Sequence, residues 1–157
     1  MSERVSLPTI GPLLWYRDPK AAIAWLEAAF GFECRLVVEA ADGGVIHSEL
    51  TLGDGYIMVV GPPSGKAVSP AAFGGRTTQS VHVQLREGLD AHCARARAAG
   101  ARVEREPETQ PYGDRVYTCV DLEDHPWSFG QTVEVMSAAA MADATGHRIH
   151  EKEPSHG

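Results

Sequence analysis

The sequence predicts an α+β fold made of two β-α-β-β-β units, and three observations carry that prediction. The first is an internal repeat. Asp18 and Gly31 bracket one helical stretch, and Glu87 and Gly100 bracket a second at an offset of 69 residues, each pair 13 residues apart. The second is periodicity, which changes from helical spacing inside each bracket to strand-like alternation after it. The third is turn punctuation, clearest at Asp42-Gly43-Gly44 and Gly53-Asp54-Gly55. Residue identity between the copies is poor, so what repeats is pattern. A unit this short cannot bury its own apolar face, so the two copies are expected to share a core.

A strand running into Asp18 opens the first unit. Asp18 and Pro19 form an N-cap and a first-turn proline. Ala22, Ile23, Leu26, Ala29 and Phe30 then fall on one helical face, and Gly31 suits the left-handed position that ends a helix. Strands are expected over 33–40 and 45–52, joined by a hairpin at Asp42-Gly43, and over 56–60 after the next turn. Residues 61–79 are rich in Pro, Gly, Ser and Ala and lack periodicity; they read as a linker whose length suits a flap over a site. The second unit repeats the plan. A strand over 79–85 precedes a helix with Leu89, Cys93, Ala96 and Ala99 on one face, and strands follow near 101–106, 115–121 and 126–135. The organisation is therefore one domain over 8–136, with unit one at 8–61, the linker at 62–78 and unit two at 79–136. The tail, 137–157, is expected to be a frayed helix and then disordered, with His147, His150 and His156 solvated.

Composition narrows the partners. The net charge of −7 and pI near 5.4 argue against nucleic acid or an anionic membrane, which select basic faces. No apolar run approaches the roughly 18 residues of a membrane span, and the N-terminus has no secretion-signal pattern. Cys34, Cys93 and Cys119 are an odd number without a paired spacing, so neither a disulfide framework nor a structural zinc site is expected. A reduced, cytoplasmic setting fits this usage. Cys93 and Cys119 read as small core residues.

Three segments give the pattern a family. One is 50–61, a strand, Leu52-Gly53-Asp54-Gly55 and an apolar strand. The others are Gln110-Pro111-Tyr112-Gly113-Asp114-Arg115, and 121–130, which ends Asp124-His125-Pro126-Trp127-Ser128-Phe129-Gly130. Together with helices closed by Ala28-Ala29-Phe30-Gly31 and Ala98-Ala99-Gly100, they resemble the vicinal oxygen chelate superfamily, in its glyoxalase-like and bleomycin-resistance-like branch. The resemblance implies a cupped, barrel-like mixed sheet with helices on its outer face and a site in the cup between the units. Metal enzymes of that superfamily hold an ion with one inward His, Gln or Glu from the first and last strand of each unit. Transferred through the repeat, those places fall on Gly11, Met58 or Val59, Ser80 and Ser128. None is a good ligand for a divalent transition metal. No metal is therefore expected at the standard positions and no cofactor is expected; a divalent ion would need a non-standard site.

Strand parity then selects the polar face of the cup. Ser80, His82 and Gln84 alternate with Val81, Val83 and Leu85, and the apolar set suits the helix-packed side. By the same rule Gly11, Leu13 and Trp15 point inward, and His47, Glu49 and Thr51 oppose Ile46, Leu50 and Leu52. The candidate catalytic residues are His47, Glu49 and His82, as an oriented base or a displaced metal site. The expected ligand-binding set is Trp15, His47, Glu49, His82, Gln84, Tyr112, Arg115 and Trp127, with Arg115 as partner for a ligand carboxylate or for Asp114 or Glu123. The function expected first is metal-free binding of a small aromatic or amphipathic molecule, with a glyoxalase-type isomerase or lyase as the alternative. Each unit closes only half a cup, so a homodimer whose interface helps to wall the site is expected.

Overall fold

The computed structural model describes residues 6–62 and 68–154. Unit one runs β1 (Leu13–Trp15), α1 (Pro19–Phe30), β2 (Glu33–Glu39), β3 (Val45–Leu52) and β4 (Gly55–Val60). Unit two runs β5 (Val81–Leu85), α2 (Leu89–Ala98), β6 (Arg102–Thr109), β7 (Asp114–Val120) and β8 (Pro126–Thr132), and α3 (Ala138–Thr145) follows. The sheet orders are β1-β4-β3-β2 and β5-β8-β7-β6. In each, the first strand is parallel to the last of its unit and the other pairings are antiparallel. The repeat is thus a repeat of topology. Among the described residues no backbone ladder joins the sheets, so the cupped surface consists of two curved sheets and not a closed barrel.

Local chemistry explains the elements. The Asp18 carboxylate accepts the Ala21 N–H at 3.0 Å, Pro19 starts the helix, and Gly31 ends it in the left-handed region. The helix-bearing faces of both sheets join in one core. Phe30, at the end of α1, reaches across to Trp127 and Phe129 of unit two, with ring centroids 5.0 and 4.8 Å away. Leu26, Leu50, Val59, Leu89, Cys93, Tyr117 and Cys119 complete it. The two cysteines behave as the small core residues their pattern suggested.

Polar contacts fasten the units around this core. The buried Asp121 carboxylate accepts the Tyr16 hydroxyl, the Trp127 indole N–H at 3.0 Å, and the Glu123 and His125 amides at 2.9 and 3.0 Å. The Glu123 carboxylate accepts the Arg17 and Asp18 amides at 2.7 and 3.0 Å. Burial alone would push the Glu123 carboxyl up, but those two N–H groups hold it below the usual range. Arg95 of α2 donates to the Glu27 and Ala28 carbonyls, satisfying the C-terminal end of α1.

Several sequence expectations need correction. Ile46 does not share the buried face with Leu50; it is exposed, because the β2–β3 register shifts between Val38 and Glu39 and turns Val45 inward. Ser48 takes an interior place, its hydroxyl bonded to both the N–H and the carbonyl of Val59. Strand β6 runs on through Pro107 to Thr109. It is an edge strand with a register shift at that point, so the missing N–H costs no ladder bond. The linker holds a short 3₁₀ turn at Pro70–Phe73, tied to unit two where the Ala71 N–H meets the Glu123 carbonyl at 3.1 Å. The tail helix is capped by Ser137 and Gly146; His147 and His150 follow it, and His156 lies outside the described residues. No helix among the described residues is long and apolar enough to cross a membrane.

Candidate functional site

Each sheet has one face turned away from the helices, and the two open faces differ in chemistry. In unit one, register sets Leu13 beside Met58, Thr51 beside Tyr56, Leu36 opposite Glu49 and Val38 opposite His47. The surface is mostly apolar and aromatic. Its polar spot is the pair His47–Glu49, with Nε2 to Oε1 at 3.1 Å. The carboxylate can only accept, so that nitrogen carries the proton and Nδ1 is left as the basic atom.

In unit two the open face is a polar ladder. His82 and Ser128 are register partners, as are Gln84 and Gly130, Thr118 and Ser128, and Asp114 and Thr132. His82 Nδ1 lies 3.0 Å from Ser128 Oγ, and His82 Nε2 lies 2.9 Å from Gln84 Oε1. The Gln84 amide nitrogen donates to Asp114 Oδ2 at 3.3 Å and to Thr132 Oγ1 at 3.1 Å. Direction follows from the anionic end. The Asp114 carboxylate needs a donor, which turns the Gln84 oxygen toward His82. His82 therefore carries its proton on Nε2 and accepts the Ser128 hydroxyl at Nδ1. Gly130 makes the ladder possible, since a Cβ there would sit 2.8 Å from Gln84 Oε1 and 3.1 Å from His82 Cε1.

The unpaired edges β1 and β5 bound two cavities along a seam between the units. One, of about 260 Å³, has Ile10, Pro12, Leu52 and Tyr56 on the unit-one side and Val81 to Gln84 on the other. The second, of about 510 Å³, lies between Leu13, Trp15 and the linker residues Phe73 and Arg76. Sites of this size, apolar with a few convergent polar groups, suit small organic molecules.

The residues at the superfamily's metal positions do not fit a metal. A Cβ built at Gly11 would overlap the Tyr56 ring, so the phenol fills the space a ligand side chain would need. Met58 rather than Val59 is on the open face, since Val59 is buried in the core. Ser80 is exposed ahead of β5, and Ser128 is engaged by His82. Among the described residues no three His, Cys, Asp or Glu side chains form a group able to hold an ion, so His47, Glu49 and His82 do not make the displaced site considered from sequence.

Of the expected ligand-binding set, Trp15, His82 and Gln84 line the seam cavities, while His47 and Glu49 sit on the unit-one open face. Trp127 and Arg115 lie elsewhere. Trp127 is 1% exposed on the helix-bearing face, where the alternation of β8 puts it with Phe129. Arg115 is on that same side, paired with Asp90 of α2 at 2.9 Å, not with Asp114 or Glu123. Tyr112 is half exposed in the β6–β7 turn, away from both cavities. His125 donates from Nε2 to the Trp15 carbonyl at 2.8 Å, tying the turn before β8 to unit one. Sequence reasoning missed Tyr56, Asp114 and Thr132. Tyr56 shares parity with Met58 and was within its reach; Asp114 and Thr132 are fixed by cross-strand register alone.

Fold and site together define a paired β-α-β-β-β protein with two open faces meeting at a seam. Residues 9–150 match the family described as the Glyoxalase/Bleomycin resistance protein/Dioxygenase superfamily, and the chain belongs to it. It is 32% identical over 131 residues to Mb0911c of Mycobacterium bovis, spanning 80% of this chain and 84% of that protein. Among solved structures, TioX from Micromonospora sp. ML1 is 33% identical, with a TM-score of 0.62 over 78% of this chain and 98% of TioX. The fosfomycin resistance protein FosX from Listeria monocytogenes, solved with Mn(II) and sulfate, shares the fold at 15% identity. Its TM-score is 0.58 over 81% of this chain and 93% of FosX.

Proposed function

We propose that the chain binds a small planar aromatic or amphipathic molecule along the seam, without a resident metal. One observation carries this reading. The 260 Å³ cavity has apolar and aromatic groups of unit one on one side and the hydrogen-bonding pair His82 and Gln84 of unit two on the other. Such a ligand stacks on the first wall and is oriented by the second. The net charge of −7 favours a neutral or cationic molecule. The open faces leave apolar surface uncovered, including Ile10, Leu13 and Phe73. A second copy of the chain covers it, so the working form is a homodimer whose interface helps to wall the site. The setting is cytoplasmic, and neither nucleic acid nor membrane is a partner.

The test is a thermal-shift titration with 9-aminoacridine and metal-free bleomycin, followed by a panel of planar aromatic compounds. Concentration-dependent stabilisation that disappears in a Trp15→Ala/His82→Ala variant supports the reading. No stabilisation by any compound would remove it. Binding that weakens on dilution below the dimer dissociation constant supports the shared wall, and full affinity in a compact monomer would dismiss it.

The His47–Glu49 pair favours a second reading, a glyoxalase-type isomerase or lyase acting on a 2-oxo compound or its thiol adduct. There an imidazole with one nitrogen held by a carboxylate serves as the base. Turnover of a hemithioacetal lost in His47→Ala would promote this reading over binding alone.

A further inference from the structure

We propose that the open face of unit two is also an acyl-transfer site, with Ser128 as nucleophile and His82 as its base. This goes beyond ligand binding and does not depend on it. The arrangement has the parts nucleophilic catalysis requires: a hydroxyl bonded to an imidazole, and a third group fixing the imidazole through its other nitrogen. Here these are Ser128 Oγ to His82 Nδ1 at 3.0 Å and His82 Nε2 to Gln84 Oε1 at 2.9 Å. The order is secured from behind, because Asp114 and Thr132 hold the Gln84 amide and forbid its reversal.

The ladder keeps its hydrogen bonds when His82 takes up the Ser128 proton. The imidazolium keeps Nε2–H on the Gln84 oxygen, and its new Nδ1–H points at the Ser128 oxygen that has just given up the proton. Contrast His92, half-buried, whose Nε2 bonds the Phe30 carbonyl at 2.9 Å and whose Nδ1 bonds the Tyr117 hydroxyl at 2.7 Å. Both nitrogens of that imidazole are taken by structural partners, and it lines neither seam cavity. The His82 pair is exposed, and His82 itself lines the 260 Å³ cavity with Tyr56, Ile10 and Leu52. Ser128 is not itself in that lining but lies 3.0 Å from the His82 that is. A short aliphatic or single-ring acyl group fits a cavity of this size, so the substrate class is an ester of a small apolar acid.

The step balances without any further reactant than water. Ser128 Oγ attacks the ester carbonyl carbon as its proton passes to His82 Nδ1. The carbon–alkoxide bond breaks and His82 returns the proton to the leaving alcohol. Water then attacks the acyl carbon as its proton passes to His82 Nδ1; the acyl–Ser128 bond breaks, His82 returns that proton to Ser128 Oγ, and the acid is released. Thr118 stands directly across the ladder from Ser128 on the same face, within reach of the same carbonyl oxygen. Gln84 and Asp114 are positioning residues.

The test uses the full chain and a fluorophosphonate probe, with the modified peptide mapped by mass spectrometry, alongside hydrolysis of p-nitrophenyl butyrate. Labelling at Ser128 is expected, slowed about 100-fold in His82→Ala, at the lower end of what a positioned base contributes. Ser128→Cys gives a second readout. Its thiol should react with iodoacetamide faster than the same thiol in a His82→Ala background. Gln84→Glu, which keeps an acceptor for Nε2–H, should retain more labelling than Gln84→Leu. No label at Ser128, or equal labelling with and without His82, would overturn the proposal. Either result leaves the thermal-shift test of ligand binding unaffected.

Discussion

The two units share a topology strand for strand, yet their open faces have opposite chemistry. Unit one presents Leu13, Trp15, Tyr56 and Met58, and unit two presents His82, Gln84, Ser128, Thr132 and Asp114. Their helix-bearing faces, by contrast, are alike: apolar, interlocked and buried. Packing constrains the closed faces to similar solutions, because the units fill one core together. The open faces carry no such constraint and have diverged into an apolar wall and a hydrogen-bonding wall. One glycine serves each wall. Gly11 makes room for the Tyr56 ring, and Gly130 makes room for the His82–Gln84 ladder.

This division can be broken most severely from the closed side. Asp121→Ala leaves the Tyr16 hydroxyl, the Trp127 indole and two amides without their acceptor inside the protein. A loss of roughly 4 kcal/mol is expected in urea unfolding, on the basis of about 1–3 kcal/mol per unsatisfied buried group partly relieved by relaxation. A loss under 1 kcal/mol would show that the units are not fastened there. Gly11→Ala comes next. The added methyl has to displace the Tyr56 ring, and overpacking of this kind costs about 1–3 kcal/mol. It should also weaken 9-aminoacridine binding, because the displaced Tyr56 ring lines the 260 Å³ cavity.

The His92 imidazole sharpens the comparison through pH. Burial lowers its affinity for a proton, the neighbouring Arg95 adds to this, and the Phe30 carbonyl opposes it. The folded protein therefore holds that proton less tightly than the unfolded chain. Its contribution to stability is full above the unfolded value, near pH 6.5, and is lost as pH falls toward the lower folded value. The melting temperature should drop between pH 7 and pH 5, and less steeply in His92→Gln. The smallest effects on stability belong to single truncations on the open faces. Trp15→Ala and His82→Ala should each cost under about 0.5–1 kcal/mol, while weakening the probe about tenfold, or roughly 1.4 kcal/mol.

Much of the fold was legible because its signals are local. Asp18-Pro19, Gly31 and the alternation of β5 each follow from backbone sterics and burial over a few residues. The sides taken by His82 and Gln84 followed from parity, as did those of Gly11 and Trp15. The failures had two sources, one of them non-local. A register shift in the β2–β3 pair inverted Ile46 and Val45, which no single strand can reveal. Trp127 and Arg115 were drawn to the site by residue type, although alternation along β8 sends Trp127 into the core against Phe30 and alternation along β7 sends Arg115 to Asp90 of α2. The ladder from Ser128 to Asp114 joins three strands brought together by the parallel β5–β8 pairing, so only two of its members, His82 and Gln84, were visible as neighbours in the chain.

In the proposed complex one ligand meets both open faces at once. A ¹H–¹⁵N NMR titration of the full chain with 9-aminoacridine tests it most directly. Leu13, Trp15 and Tyr56 are expected to shift together with His82, Gln84 and Gly130, all fitting a single dissociation constant. Shifts confined to one face, or to the surfaces of the helices, would contradict it.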